Sequence, residues 1–193
     1  MARAVLRNAS GEPTIARLDR DRPAVEAARR DPARFEALYR KYLAQVYSYA
    51  LYELGDHHAA EDATERTFLA ALAALERYRD TGSTFRAWLF RIAHNQLANA
   101  LRARGRQQEA SLDAVVEQAT DDDPAGALGR AEDRRRLQRA LEELPEDRRQ
   151  VVVLRFVDGL SAREIGAVLD RSEGAVRVLQ HRALRDLAAI LER

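Results

Sequence analysis

The chain has 193 residues, 46% hydrophobic and 33% charged, with 32 basic against 31 acidic side chains and a net charge of +1. That length holds one large domain or two small ones, and so even a balance means that any nucleic-acid surface must come from local distribution rather than the sum. The absence of cysteine excludes disulfides, thiolate metal sites and cysteine nucleophiles. No apolar run reaches a membrane span and the N-terminus lacks a signal-peptide core, so a cytoplasmic protein is expected.

Nine glycines, five prolines and long Ala/Leu/Arg/Glu runs favour an all-α chain. Met1 to Pro23 mixes Arg, Asp, Gly and Pro without periodicity and is expected to be a flexible arm. A first helical domain is expected over 24–104. Ala24 to Arg30 suits a short helix, and Asp31-Pro32 is an N-cap with proline at the first helical position. Phe35, Leu38, Tyr39, Tyr42, Val46 and Tyr49 then recur at three- and four-residue steps, one face of a helix reaching about Glu53. Gly55-Asp56 ends it. The next helix runs to about Leu75, with Ala63, Phe68, Ala71, Leu72 and Leu75 apolar and Glu61, Asp62, Glu65 and Arg66 facing outward. A polar loop, YRDTGST, precedes a third long helix from Phe85 to about Arg104, whose Phe85, Trp88, Leu89 and Ile92 face the core.

From Phe85 to Arg106 there are five arginines and no acidic residue; from Gln107 to Gly129 there are six acidic residues and no Lys or Arg. So abrupt a reversal marks a domain boundary and predicts a flexible acidic linker over 105–130. A second domain is expected over 131–193. Its helices resume near Ala131, restart at Pro145-Glu146-Asp147 and close at Asp158-Gly159. In the segment after that break, Ser161 and Glu164 form a capping box and Ile165, Val168 and Leu169 an apolar face. Asp170-Arg171-Ser172 breaks the pattern, with Ser172 a cap for a last helix that carries Val176, Ala183 and Leu187 on one side and Arg177, His181 and Arg182 on another. Two helices joined by a tight turn, the second basic outside, have the form of a DNA-binding helix-turn-helix. An αα-hairpin with a solvated arginine face shares the pattern.

Four stretches, AAEDATERTFLAAL (59–72), FRAWLFRIAHNQLANALR (85–102), LEELPEDRRQVVVLRFVDGLSAREIGAVL (141–169) and SEGAVRVLQHRAL (172–184), stand in the order and separation of a bacterial RNA polymerase sigma factor. Over roughly residues 30–190 the chain resembles the extracytoplasmic-function group. The resemblance implies a transcription initiation factor, not an enzyme, that binds the largest and second-largest subunits of core RNA polymerase and recognises −35 and −10 promoter elements. It implies core docking through Glu61, Asp62, Glu65 and Arg66, although Glu65-Arg66 stands where the family usually has Gln-Glu. It also implies that the loop and third helix hold single-stranded −10 DNA. Arg79, Thr81, Ser83 and Arg86 offer donors for an unstacked base and its phosphates, and Arg91, Asn95, Asn99 and Arg102 form one polar stripe of the helix. Duplex −35 DNA falls to Arg177, His181 and Arg182, with Arg171 and Glu173 as further contacts. Gln180 replaces a family leucine, so either the helix is rotated or Leu179 takes over packing. Double- and single-stranded promoter DNA are then the nucleic-acid partners. An anti-sigma factor is a further partner the family allows, and neither cofactor, metal nor membrane is called for.

Two other readings use parts of the same sequence. A two-domain regulator with a helix-turn-helix would bind duplex DNA without polymerase, but it leaves the basic third helix unexplained. A metal-dependent hydrolase would need His57 and His58 to work with Glu61 and Asp62, at i, i+4 spacing without a third cluster.

Overall fold

Asp31 opens the long helical run as its spacing requires: its carboxylate accepts from Ala33 N–H at 3.1 Å and starts a 3-10 turn, Pro32–Phe35. In a computed structural model, which describes residues 19–79, 83–110 and 136–192 (the side chains of 106–110 excepted), this turn leads into a wholly helical architecture. The helices are α1 (Arg22–Arg30), α2 (Glu36–Leu54), α3 (His57–Ala74), α4 (Phe85–Ala110), α5 (136–142), α6 (Glu146–Val152), α7 (Ala162–Leu169) and α8 (Glu173–Leu191). Gly55 ends α2 at φ 67°, a left-handed conformation that glycine adopts without a Cβ clash, and Asp56 caps α3 through Ala59 N–H at 2.7 Å. None of these helices is long and apolar enough to cross a membrane.

The N-terminal domain packs α2, α3 and α4 around Leu38, Tyr42, Val46, Tyr49, Phe68, Phe85, Leu89 and Phe90. Trp88 is half-buried, its ring 5.1 Å from Tyr78 and 5.4 Å from Phe85, as core spacing predicts. The C-terminal domain packs α5 to α8 around Leu141, Leu144, Val151, Leu154, Ile165, Val176 and Ala183. Between α6 and α7 the helix widens into one π turn, Val153–Val157, in which Asp158 N–H reaches Val153 C=O at 3.2 Å.

Two boundaries differ from expectation. The expected arm does not extend to Pro23. Asp19 and Asp21 are 8% and 5% exposed; Asp19 accepts from Phe85 N–H at 2.6 Å and from Tyr78 O–H at 3.2 Å, while Asp21 accepts from Lys41 and Tyr42. Asp19 thus satisfies the first turn of α4 from 66 positions away. At the other end α4 continues to Ala110, six residues past Arg104, because Arg, Gln, Glu and Ala all favour helix whatever their charge. The rest of the expected acidic linker, 111–130, and residues 1–18 of the arm lie outside the described residues.

The buried side chains of the two domains form a single continuous cluster. Polar links among the described residues also cross the seam. Arg149 of α6 donates to Glu53 of α2 at 3.1 Å; Thr84, ahead of α4, donates to Glu164 of α7 at 2.8 Å; and Arg86 of α4 donates to the carbonyls of Asp158 and Gly159.

Candidate nucleic-acid interface

The helix-turn-helix is built by its caps. Ser161 Oγ accepts from Glu164 N–H at 3.3 Å, and Glu164 Oε2 accepts from Ser161 N–H at 2.9 Å, a complete capping box. Burial pushes the Glu164 carboxyl up, but the hydrogen bonds from Ser161 and Thr84 outweigh it and hold it below its ordinary range. Asp170 takes the left-handed conformation at φ 54° to turn the chain, and Ser172 caps α8 through Ala175 N–H at 3.2 Å. Gly166 lets this turn close, since a Cβ there would lie 2.5 Å from the carbonyl oxygen of Arg171.

Arg171, Glu173, Arg177, His181 and Arg182 are all exposed along α8 and the turn before it. Arg177 is paired with Glu173 at 2.5 Å, so it must change partner to bind a base or phosphate. Leu179 packs against the core, and Leu179 and Gln180 are both half-buried.

On α4, Arg91, Asn95, Asn99 and Arg102 are exposed on one stripe, with Phe90, Ala93 and Leu97 buried opposite. Arg102 donates to Asn99 Oδ1 at 2.8 Å, which leaves Asn99 its amide N–H groups as donors. The loop residues are less uniform. Arg79 turns back onto the carbonyls of Glu76 and Tyr78 at 2.7 and 3.0 Å, the Ser83 carbonyl accepts from Tyr78 O–H at 3.4 Å, and Thr81 lies outside the described residues. Arg86 departs furthest from expectation. Its guanidinium is spent on the Asp158 and Gly159 carbonyls, and its buried Nε has no partner, so in this conformation it does not face solvent with the stripe.

Glu61, Asp62, Glu65 and Arg66 are exposed on α3. Beside them lies a feature that sequence reading missed: an open apolar groove of about 360 Å³ between α2 and α3, whose lining includes Tyr39, Leu43, Phe68, Leu69 and Leu72 with Glu61 and Glu65 at its edge. Leu69 is 59% exposed. It continues the line of Glu61 and Glu65 at four-residue steps, and that is the signal by which it could have been found. His57 and His58 do not converge. His57 Nδ1 is 2.6 Å from Tyr47 Oη, His58 lies 3.8 Å from Glu61, and the described residues contain no group of three or more metal-ligating side chains.

The seam carries its own electrostatics. Burial raises Glu53 above the ordinary carboxylate range against the opposing pull of Arg149, and lowers His94, whose Nδ1 is 3.0 Å from Tyr49 Oη. Burial also pushes Asp158 up to about 8, although Arg86 pulls the other way.

Residues 38–107 match the Sigma-70 region 2 family and residues 134–187 the Sigma-70 region 4 family. Curated relatives include the ECF RNA polymerase sigma factor BldN of Streptomyces coelicolor, 36% identical over 81% of this chain and 60% of that protein. The ECF RNA polymerase sigma factor SigL of Mycobacterium tuberculosis is 35% identical over 86% of this chain and 93% of its own length. Among the first of the curated relatives the chain spans about 60% of their length. Among solved structures, the sigma factor RpoE in complex with the anti-sigma factor NepR from Bartonella quintana is similar at a TM-score of 0.69 and 26% identity, covering 82% of this chain and 96% of that one.

Proposed function

Because the chain belongs to the extracytoplasmic-function group of RNA polymerase sigma factors, we propose that it is a transcription initiation factor rather than an enzyme. It binds core RNA polymerase in the cytoplasm, reads a −35 element with α8 and holds melted −10 DNA with α4. The observation that carries this reading is the exposed stripe Arg91, Asn95, Asn99 and Arg102 on a helix with no acidic residue from Phe85 to Arg106, in the same chain as a capped helix-turn-helix. A self-sufficient duplex-binding regulator needs only the second of these. Unstacked bases are gripped by hydrogen bonds and backbone contacts of the kind the stripe offers.

Core docking belongs to the α2–α3 groove together with Glu61, Asp62, Glu65 and Arg66, where an apolar centre is rimmed by charge as protein interfaces are. An anti-sigma factor is a natural competitor, as the likeness to a sigma factor bound to NepR suggests. Promoter engagement also separates the domains. Elements two duplex turns apart lie about 70 Å apart, at about 35 Å per turn, whereas here the domains are packed together. Gly105 to Ala110 continue α4 at about 1.5 Å per residue, and the 19 residues from Ser111 to Gly129 would add roughly 60 Å if extended at about 3.3 Å each, roughly 70 Å together.

Transcription by core polymerase on a pool of genomic fragments tests the reading: discrete starts that depend on this protein are expected. Arg177→Ala should weaken holoenzyme binding to the −35 element by roughly tenfold, at about 1–3 kcal/mol for a good base contact. Asn95→Ala should leave duplex binding intact and slow open-complex formation, followed by permanganate footprinting. Normal opening by that variant would remove Asn95 from the −10 site.

A further inference from the structure

Asp158 is the least comfortable group in the seam. It is 2% exposed, and neither carboxylate oxygen has a hydrogen-bond partner, while its main-chain carbonyl takes the Arg86 guanidinium. A carboxyl in this position resists ionisation, because a buried charge without hydrogen bonds has lost its hydration for nothing in return. We propose that the seam is a proton-dependent latch, in which neutral Asp158 holds the domains closed over Arg86 and its ionisation releases them. The consequence for DNA rests on the reading of Arg86 as a −10 contact; the latch itself does not.

The surroundings determine its sign. Arg86 from α4 is the charge that acts on Asp158 directly, and burial outweighs it, giving a carboxyl that titrates at about 8 in the closed state. From α2, Tyr49 is within reach of Asp158, and also of Glu53, Arg149 and Glu146; from α7, Glu164 is within reach of Arg86. On its own turn, Arg155 is bound to the Leu160 carbonyl at 2.8 Å. Once the seam opens, Asp158 meets water and returns toward its ordinary value of 3.8. Between these values the closed state holds the extra proton, so closure is strongest at low pH and weakens as pH rises toward about 8, levelling off above it. Glu53, also raised, acts in the same direction. Lowered Glu164 and lowered His94 act oppositely, favouring closure as pH rises through their ordinary values of 4.5 and 6.5, and both are spent above neutrality.

The chain has no cysteine, so Ala44→Cys and Ala188→Cys, both exposed positions, place a donor and an acceptor dye on α2 and α8 of the full-length protein. Energy transfer should fall between pH 6.5 and 8.5, the open-to-closed ratio rising by up to about tenfold per pH unit for one proton. In the doubly labelled Asp158→Asn protein, and in Asp158→Ala, which also cannot titrate, the slope should shrink to the part that Glu53 supplies. Transfer that is independent of pH in the parent, or a slope undiminished in either variant, overturns the latch. No DNA or polymerase enters this measurement, so its failure leaves promoter reading untouched. Conversely, normal promoter opening by an Arg86→Ala holoenzyme would remove Arg86 from the −10 site and leave the latch standing.

Discussion

Gly166→Ala is expected to cost the C-terminal domain about 2 kcal/mol or more and to abolish −35 binding at physiological temperature. The added Cβ would sit 2.5 Å from the Arg171 carbonyl oxygen and 3.6 Å from the Glu173 nitrogen. Those are backbone atoms, so no side chain can rotate away to make room. Nor can the turn relax cheaply, because Arg171 N–H donates to the Gly166 carbonyl at 2.9 Å and Asp170 is already in the left-handed region. Urea unfolding followed by circular dichroism measures the loss. Gly174→Ala is the comparison: nothing lies within 4 Å of its Cβ, and alanine in a helix should raise stability by up to about 1 kcal/mol. If Gly166→Ala unfolds at the same urea concentration as the parent, the tight approach of α7 to the turn is not real.

Leu69→Asp should leave folding nearly unchanged and reduce affinity for core polymerase by at least about thirtyfold, the scale of an interface anchor. Leu69 is 59% exposed, so its replacement removes little buried area from the free protein. In the proposed complex it enters the apolar centre of the α2–α3 groove beside Phe68 and Leu72, where a carboxylate would be desolvated next to Glu61 and Glu65. Arg66→Ala, at the rim and weakly paired with Asp62 at 3.9 Å, should change affinity by only a fewfold. Titration of labelled protein with core enzyme separates the two. Equal losses would move the docking centre away from the groove.

What was legible in the sequence was chiefly what is decided within a few residues. The caps at Asp31, Ser161 and Ser172, the glycine stop at Gly55 and the core faces of α2 and α4 follow from local geometry, and the structure places them where spacing puts them except for Tyr39, which is 39% exposed at the edge of the α2–α3 groove. The exposed stripe of α4 and the basic face of α8 were legible for the same reason. What was not legible depends on distant partners. Arg86 looks like a free donor in a stretch without acids, yet its acceptors are carbonyls 72 and 73 residues away, which no side-chain pattern reveals. Asp19 caps a helix 66 residues on, so the arm looked longer than it is. The charge reversal after Arg106 suggested that α4 had ended, but helix propensity does not follow the sign of the charge.

The packed seam and the promoter pose opposite demands. The core is continuous across both domains and held by Glu53–Arg149, Thr84–Glu164 and the Arg86 clamp, while two promoter elements about 70 Å apart can be met only when the domains separate. On the proposed reading, a factor so arranged should read its promoter weakly on its own and tightly once core polymerase has spread it. Gel shift of a duplex promoter fragment with the free protein and with the protein plus core enzyme tests this most directly. Specific, tight binding only in the presence of core enzyme is the expected result; tight sequence-specific binding by the free protein would identify a self-sufficient regulator and contradict an initiation factor.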